Sequence, residues 1–220
     1  MKTIDLDFVH RWEPADMSAS GKAAGKAAAT LLLLHGTGGS EHDLIDLGKS
    51  LLPEANLLSP RGKVSENGMA RFFARLAEGV FDLPDLHRRT DELAAFIDSA
   101  AKTYGFDRNR TVAVGYSNGA NIAASLLLSK RGALAGAVLF HPMVPFEPEA
   151  GLDLTGVPVF IAAGSQDPLV PPASTERLAE LLSAGGAVVE TRWQDGGHRI
   201  SHAEVETARA WISKGEHPWN

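Results

Sequence analysis

The sequence predicts an α/β fold in which a mostly parallel sheet is covered by helices on both faces. Apolar runs of strand length alternate with segments whose apolar residues recur at helical spacing. Glycine-rich or polar stretches follow several of these runs, at the strand ends where such sheets form a ligand crevice. The chain has 220 residues and no visible repeat. We therefore expect one domain over residues 1–220.

Each element follows from one segment of this alternation. The helix at 85–104 has the clearest periodicity, and Gly105 is expected to end it. The segment 60–83 is long for a connection and is expected to overhang the edge where the strands end. The segment 18–28 is rich in small residues and predicts a mobile connection. Strands are expected at 3–9 (an exposed edge strand), 29–35, 55–59, 111–116, 134–140, 157–163 and 187–193, and further helices at 41–52, 118–130, 173–184 and 202–214.

Composition excludes several classes of function. The net charge of −6 disfavours a nucleic-acid partner, because phosphates would be repelled. The chain contains no cysteine, which excludes disulfides and cysteine-ligated zinc. The longest apolar runs are far shorter than the ~20 residues that span a bilayer, and the acidic start argues against a signal peptide. We expect a cytoplasmic enzyme without membrane insertion.

The strongest functional signal is a G-x-S-x-G motif at residues 115–119, between a predicted strand and a predicted helix. In that context the motif indicates a nucleophile elbow, whose sharp turn exposes the serine oxygen. Glycines at both ends allow the strand and the helix to approach closely. The motif therefore predicts a hydrolase with Ser117 as nucleophile. The bare pattern also arises by chance, so the interpretation depends on a suitable acid and base downstream.

Suitable partners follow two later strands. Asp167 comes just after the strand at 157–163, and His198 follows the strand at 187–193. The carboxyl ends of these strands lie at one edge of the sheet, and the order serine, acid, histidine is that of a known hydrolase class. We expect His198 to act as the base for Ser117, and Asp167 to orient its ring.

Other acids and histidines are less well placed. Asp195 lies on a short loop beside His198, Asp153 precedes its strand, and Glu190 lies inside a strand. His202 is the main rival base, although it falls in a predicted surface helix. His141 ends a strand and is expected to line the pocket or to be structural. The other histidines are interpreted as surface residues: His10, His42, His87 and His217.

A glycine-rich loop after the first buried strand predicts an oxyanion hole. The segment 35–39 reads His-Gly-Thr-Gly-Gly, and the backbone N–H groups of Thr37 and Asn118 are the expected donors. The alternative is a glycine-rich turn that binds an anion at a helix start.

The substrate pocket is expected to draw on the segment 60–83 and on neighbouring edge loops. Apolar side chains would form its walls, and either arginine of the segment could meet a polar or acidic part of the substrate. The alternative for the aromatic residues is that they only fill the core beneath the loop. The candidates are Arg61, Met69, Arg71, Phe72, Phe73, His141, Met143, Leu169 and Val170.

Taken together, these motifs resemble the small carboxylesterase/phospholipase branch of the α/β-hydrolase superfamily, which includes the acyl-protein thioesterases. Its bacterial carboxylesterases, some linked to hydroquinone metabolism, are the most similar. The resemblance covers nearly the whole chain. It implies a compact enzyme without a large cap domain, with a shallow pocket for short acyl esters, often a homodimer. Tyr116 and Asn118 differ from the thioesterase pattern. The resemblance rests on residues 35–39, 59–62, 67–73, 115–121, 140–145, 163–168 and 197–198.

We therefore predict a serine carboxylesterase that acts on a small-molecule ester through an acyl-enzyme, with no metal or organic cofactor. Two alternatives remain open at this point. One is a thioesterase or lysophospholipase-type acyl hydrolase, and the other is a non-catalytic ligand receptor on the same fold.

Overall fold

The computed structural model describes residues 6–16, 28–148 and 151–219. These residues form strands and helices in alternation, with a short 3₁₀ turn at Arg108–Arg110. The helices are α1 (Ile45–Leu51), α2 (Leu83–Tyr104), α3 (Asn118–Ser129), α4 (Pro172–Ala184) and α5 (His202–Ile212). The strands are β1 (His10–Glu13), β2 (Thr30–Leu34), β3 (Asn56–Pro60), β4 (Val64–Glu66), β5 (Met69–Arg71), β6 (Arg75–Ala77), β7 (Val80–Phe81), β8 (Thr111–Tyr116), β9 (Gly136–Phe140), β10 (Pro158–Gly164) and β11 (Val188–Gln194).

Seven of the strands form one sheet in the order β1-β3-β2-β8-β9-β10-β11. All neighbouring pairs are parallel except β1 and β3. The predicted α/β class is therefore confirmed, and the described residues include no large cap. The carboxyl ends of β2, β8, β10 and β11 meet at one edge, which is where the functional motifs begin.

The two faces of the sheet pack against different helices. Along β2, Leu32 and Leu34 join a core with the buried side of α2, whereas Leu31 and Leu33 join a second core with α1 and α5. This division follows from the strand period of two, which sends successive side chains to opposite faces. Helices therefore cover both faces, and the edge that carries the motifs stays accessible.

The predicted edge strand lies further along the chain than expected. Strand β1 occupies His10–Glu13 and runs antiparallel to β3, while residues 6–9 are outside any strand. Two aromatic contacts with helix α2 explain this position. Phe8 packs on Phe96 with ring centroids 4.8 Å apart, and Trp12 stacks on Tyr104 with centroids 4.6 Å apart. Residues 3–5 of that prediction, and residues 18–27 of the predicted mobile connection, lie outside the described residues.

The long segment 60–83 contains two small hairpins rather than an irregular loop. In the first, β4 pairs with β5, and in the second, β6 pairs with β7. Asn67 and Gly68 connect the first pair with φ angles of 52° and 82°. Two residues with positive φ are what a type I′ hairpin turn requires, and Asn-Gly is its strongest sequence signal.

The close packing of β8, α3 and β2 depends on Gly119. A Cβ atom at this position would collide with the carbonyl oxygen of Leu34 in the neighbouring strand. We therefore expect Gly119→Ala to lower the free energy of unfolding by about 2 to 3 kcal/mol, measured by urea denaturation. The control is Gly215→Ala, because a Cβ there meets open space. Equal denaturation midpoints for the two variants would contradict this packing argument.

Candidate active site

Ser117 occupies the sharp turn between strand β8 and helix α3, with φ of 52° and ψ of −114°. A positive φ is uncommon for a residue other than glycine and stores strain, often at functional positions. The N–H of Ser117 donates to the carbonyl of Phe140 at 2.9 Å, and its carbonyl accepts from the N–H of Asn121 at 2.9 Å. The main chain is thus held on both sides, and the serine side chain lines a pocket.

His198 links the serine to a buried carboxylate. Its Nε2 lies 2.8 Å from Ser117 Oγ, and its Nδ1 lies 2.7 Å from Asp167 Oδ2. When Nδ1 carries the proton and donates to Asp167, Nε2 presents a lone pair to the serine hydroxyl. The structure thus brings together the three residues that the sequence places at the ends of β8, β10 and β11.

Asp167 is buried, with 1% of its side chain exposed. Its Oδ1 accepts hydrogen bonds from the backbone N–H groups of Leu169 at 2.8 Å and Val170 at 3.2 Å, while Oδ2 receives His198. Donors on both oxygens offset the cost of burying the charged carboxylate.

The loop that carries His198 is fixed from two sides. The end of β10 packs so tightly against it that a Cβ on Gly164 would strike the carbonyl oxygens of Gly196 and Gly197. On the other side, Tyr116 donates its hydroxyl hydrogen to the His198 carbonyl at 2.8 Å. Burial, followed by the charge of Asp167, raises the pKa of Tyr116, so the phenol keeps the proton that this bond needs.

The rival residues lie elsewhere. Asp195 is exposed and accepts a hydrogen bond from Gln166, Asp153 pairs with Arg131, and Glu190 pairs with Arg192 and Lys214. His202 is exposed at the first turn of α5.

The glycine-rich loop is shaped by a buried histidine. His35 Nδ1 lies 2.7 Å from the Gly36 carbonyl, and its Nε2 accepts the Gly62 N–H at 3.0 Å. Burial lowers the pKa of His35, which favours the neutral ring that can donate at one nitrogen and accept at the other. Thr37, in this loop, and Asn118, at the start of α3, both line the pocket that holds Ser117.

The pocket has a volume of about 310 Å³ and combines polar and apolar walls. Of the side chains expected to bind substrate, five line it. Further lining residues were not anticipated from the sequence: Asn121 in α3, and four residues of the second hairpin, whose strands are too short to show a period. The anticipated residues are Arg71, His141, Met143, Leu169 and Val170, and the additional ones are Arg75, Glu78, Gly79, Phe81 and Asn121.

Four of the predicted pocket residues are placed elsewhere. Phe72 and Phe73 are 1% and 0% exposed and belong to the core, so their aromatic rings fill the interior beneath the hairpins. Arg61 pairs with Glu41 through two hydrogen bonds of 2.5 and 2.7 Å. Met69 is partly exposed and packs beside Gly38 on the outer side of the glycine-rich loop.

A second histidine lies behind the site. His141 is buried with φ of 52°, its Nδ1 is 3.3 Å from Asp167 Oδ2, and its Nε2 is 3.3 Å from Glu204 Oε1. Within the described residues, neither ring nitrogen has a hydrogen bond of good geometry. The two ring nitrogens of His141 therefore face two different buried carboxylates.

Three side chains of the site are candidate metal ligands within the described ranges. The ligand atoms of His141, Asp167 and His198 lie within 4.8 Å of one another. An ion bound there would have to replace the hydrogen bond between Asp167 and His198. The expectation that the enzyme needs no metal stays a prediction.

The fold and the site define the class of protein. A serine on a strained turn after a central parallel strand, with an acid and a histidine beyond later strands, is typical of the α/β-hydrolase fold. The sequence matches the Phospholipase/Carboxylesterase family over residues 17–215. The chain belongs to this family of hydrolases.

Individual relatives agree with this assignment. Over 190 residues the chain is 55% identical to MhqD of Bacillus subtilis (strain 168), a protein named as a hydrolase, with 86% of this chain and 95% of that one covered. The Bacillus cereus carboxylesterase structure is similar at a TM-score of 0.88 and 50% identity, with 94% of each chain covered. The structure of YahD with malic acid is similar at a TM-score of 0.85 and 29% identity, with 93% of this chain and 98% of that one covered. Among the described residues, no helix is long and apolar enough to cross a membrane.

Glu204 connects the stability of the site to pH. Its Oε2 accepts from the Ser201 N–H at 2.7 Å and hydroxyl at 2.9 Å. Burial raises the pKa of Glu204, but the contacts with His141 and Ser201 outweigh burial, so the net pKa lies below the ordinary value. Such a carboxylate stabilises the fold above its unfolded pKa of about 4.3, and the stabilisation is lost as pH falls through the folded pKa.

We expect Glu204→Gln to cost about 1 to 3 kcal/mol of unfolding free energy at pH 7. Between pH 6 and pH 3 the variant should lose less further stability than the wild type, because it has no carboxylate to protonate. Urea denaturation at several pH values measures both effects. Glu206→Gln, in the same helix but exposed, is the matched control and should follow the wild type. The same pH dependence of the unfolding free energy in all three proteins would contradict the prediction.

Proposed function

We propose that the protein is a serine carboxylesterase that hydrolyses small or short-acyl carboxylic esters through an acyl-enzyme intermediate. The observation that carries the proposal is the hydrogen-bonded chain from Ser117 to His198, at 2.8 Å, and from His198 to Asp167, at 2.7 Å. A serine hydroxyl needs a base to become a nucleophile, and this arrangement supplies one.

In the first half of the reaction, His198 Nε2 removes the hydroxyl proton as Ser117 Oγ attacks the ester carbonyl carbon. The carbonyl oxygen becomes an oxyanion, for which the backbone N–H groups of Thr37 and Asn118 are the proposed donors. The C–O bond to the alcohol then breaks, and the leaving oxygen takes the proton from His198 Nε2. The acyl group remains on Ser117.

In the second half, water takes the place of the alcohol. His198 Nε2 removes a proton from water as its oxygen attacks the acyl carbon, and a second oxyanion forms. The bond to Ser117 Oγ breaks, the serine regains the proton from His198, and the carboxylic acid leaves. The carboxylate of Asp167 stabilises the imidazolium in both halves.

The size of the pocket supports a small substrate. A volume of about 310 Å³ lies at the lower end of the range for small-molecule sites. The named relatives agree, since one is a carboxylesterase and YahD was solved with malic acid, a small molecule. A thioester could use the same groups, so a panel of esters and acyl-CoA thioesters is the test between them. The homodimer and the cytoplasmic location stay predictions.

Ser117→Ala should remove nearly all hydrolysis of p-nitrophenyl acetate and leave the melting temperature close to that of the wild type. Ser165→Ala, an exposed serine after β10, is the control and should keep its activity. A fluorophosphonate probe should label the wild type and Ser165→Ala but not Ser117→Ala. Undiminished turnover by Ser117→Ala would rule out this nucleophile, and a folded wild type that resists the probe would favour a non-catalytic receptor.

Asp167→Asn should lower kcat by about 10⁴, as in a protease triad, because an amide no longer fixes the productive ring tautomer of the histidine. Asp195→Asn removes the neighbouring exposed carboxylate and should stay near the wild-type rate. Steady-state kinetics on one ester compares the two, with circular dichroism as the check on folding. A larger loss of kcat in Asp195→Asn than in Asp167→Asn would identify Asp195 as the acid that acts with His198.

A further inference from the structure

We propose that Arg71 binds a carboxylate of the substrate, so that the preferred esters are short and carry a second, free carboxylate. Monoesters of small dicarboxylic acids have this chemistry. The inference rests on the proposed function, and it names the class of ester that the same pocket accepts.

Arg71 is a buried cation with an unused donor. Its side chain is only 4% exposed, yet it lines the pocket that contains Ser117. Its Nη1 donates to Thr37 Oγ1 at 2.6 Å, and its Nε donates to the Phe73 carbonyl at 3.2 Å. These bonds leave Nη2, one of the two nitrogens at the end of the guanidinium fork, for a ligand.

The charge of Arg71 is incompletely balanced within the described residues. Its contact with a carboxylate is Glu66 Oε2, at 3.2 Å from Nε. The same carboxylate accepts two hydrogen bonds from Arg75 Nε, at 2.9 and 3.1 Å. Burial, followed by the nearby charge of Arg75, lowers the pKa of Arg71, and Glu66 offsets this in part. Two guanidinium groups thus share one carboxylate, and a bound anion would supply the missing charge.

The other walls favour an anion with a short carbon chain. Phe81, Met143 and Val170 provide apolar surface, against which methylene groups can pack. Glu78 also lines the pocket, but it is exposed at the hairpin turn, where solvent screens its charge.

The position of Arg71 limits the length of the ligand. Its guanidinium contacts the side chain of Thr37 directly, and the N–H of Thr37 is a proposed oxyanion donor. A carboxylate on Arg71 and a scissile carbonyl at the oxyanion hole are therefore separated by only a few bonds. Arginine suits this task because its planar fork matches a carboxylate.

A purely structural role for Arg71 makes a different prediction. If the side chain only holds Thr37, its loss should reduce the hydrolysis of neutral and anionic esters by the same factor. If it binds the carboxylate, the anionic ester should lose more. The ratio of the two kcat/KM values separates these roles.

The test compares monoethyl succinate with ethyl butyrate, which has a methyl group in place of the carboxylate. The wild type should prefer the succinate ester. Arg71→Gln should lower the ratio of kcat/KM for monoethyl succinate to kcat/KM for ethyl butyrate by about 10- to 100-fold, the range of a charge-assisted hydrogen bond. Arg71→Lys keeps the positive charge but lacks the guanidinium fork, so its ratio should lie between those of the wild type and Arg71→Gln. Arg61→Gln is the control, because Arg61 pairs with Glu41 away from the pocket, and should keep the wild-type ratio.

Binding of succinate provides a readout that does not need turnover. Succinate should bind Ser117→Ala in calorimetry, and the added Arg71→Gln change should remove that binding, whereas added Arg61→Gln should not. An unchanged ester ratio, or succinate binding that survives the loss of Arg71, would overturn the inference. Absence of ester hydrolysis by the folded wild type would instead refute the proposed function, and the calorimetry would still decide the role of Arg71.

Discussion

The buried Asp167 carboxylate determines how the segments around the site are arranged, because each of its oxygens must receive a hydrogen bond. An ionised group that is almost completely removed from water requires donors on both oxygens. Those donors come from the turn after β10, at Leu169 and Val170, and from the loop after β11, at His198. The two segments must therefore meet around this one group. Tight packing of Gly164 against the β11 loop makes that meeting possible.

Asp167 also connects the serine to the last helix of the chain. His141, at the end of β9, lies between Asp167 and Glu204 with 3.3 Å to each. Glu204 in turn forms the capping box of α5 with Ser201, which satisfies donors that a helix start would otherwise leave unpaired. The arrangement places a base between two acids, so each buried charge faces a group that can stabilise it. His141 thus lies between the carboxylate of the site and the first turn of α5.

The sequence predicts most of the fold and the framework of the site, because both rest on strong local signals. The helical period identifies α2, and continuous apolar runs identify the buried strands. The rule that functional residues follow strand ends places Ser117, Asp167 and His198 at one edge. Strands of two or three residues carry no periodic signal, so the sequence does not reveal both hairpins of 60–83, although Asn67-Gly68 indicates the first. Phe72 and Phe73 lie in the bend after β5, and both are buried. Their burial depends on how the hairpins pack on the core, which the sequence alone does not define. The relation of His141 to Glu204 joins residues distant in sequence and is visible only in three dimensions.

The sheet and the hairpins have different tasks in this site, and a few contacts connect them. The sheet places the serine, the histidine and the aspartate, whereas β5 and the second hairpin supply Arg71 and much of the remaining pocket wall. Two of the hydrogen bonds that join the parts reach the glycine-rich loop: Gly38 N–H donates to the Ala70 carbonyl at 2.8 Å, and Arg71 donates to Thr37 at 2.6 Å. Because both bonds end on the glycine-rich loop, a substrate group held by the hairpins is positioned relative to the proposed oxyanion donor. Under the proposed function, changes in the hairpins would therefore alter which ester is accepted, while the hydrogen bonds of Asp167 stay intact.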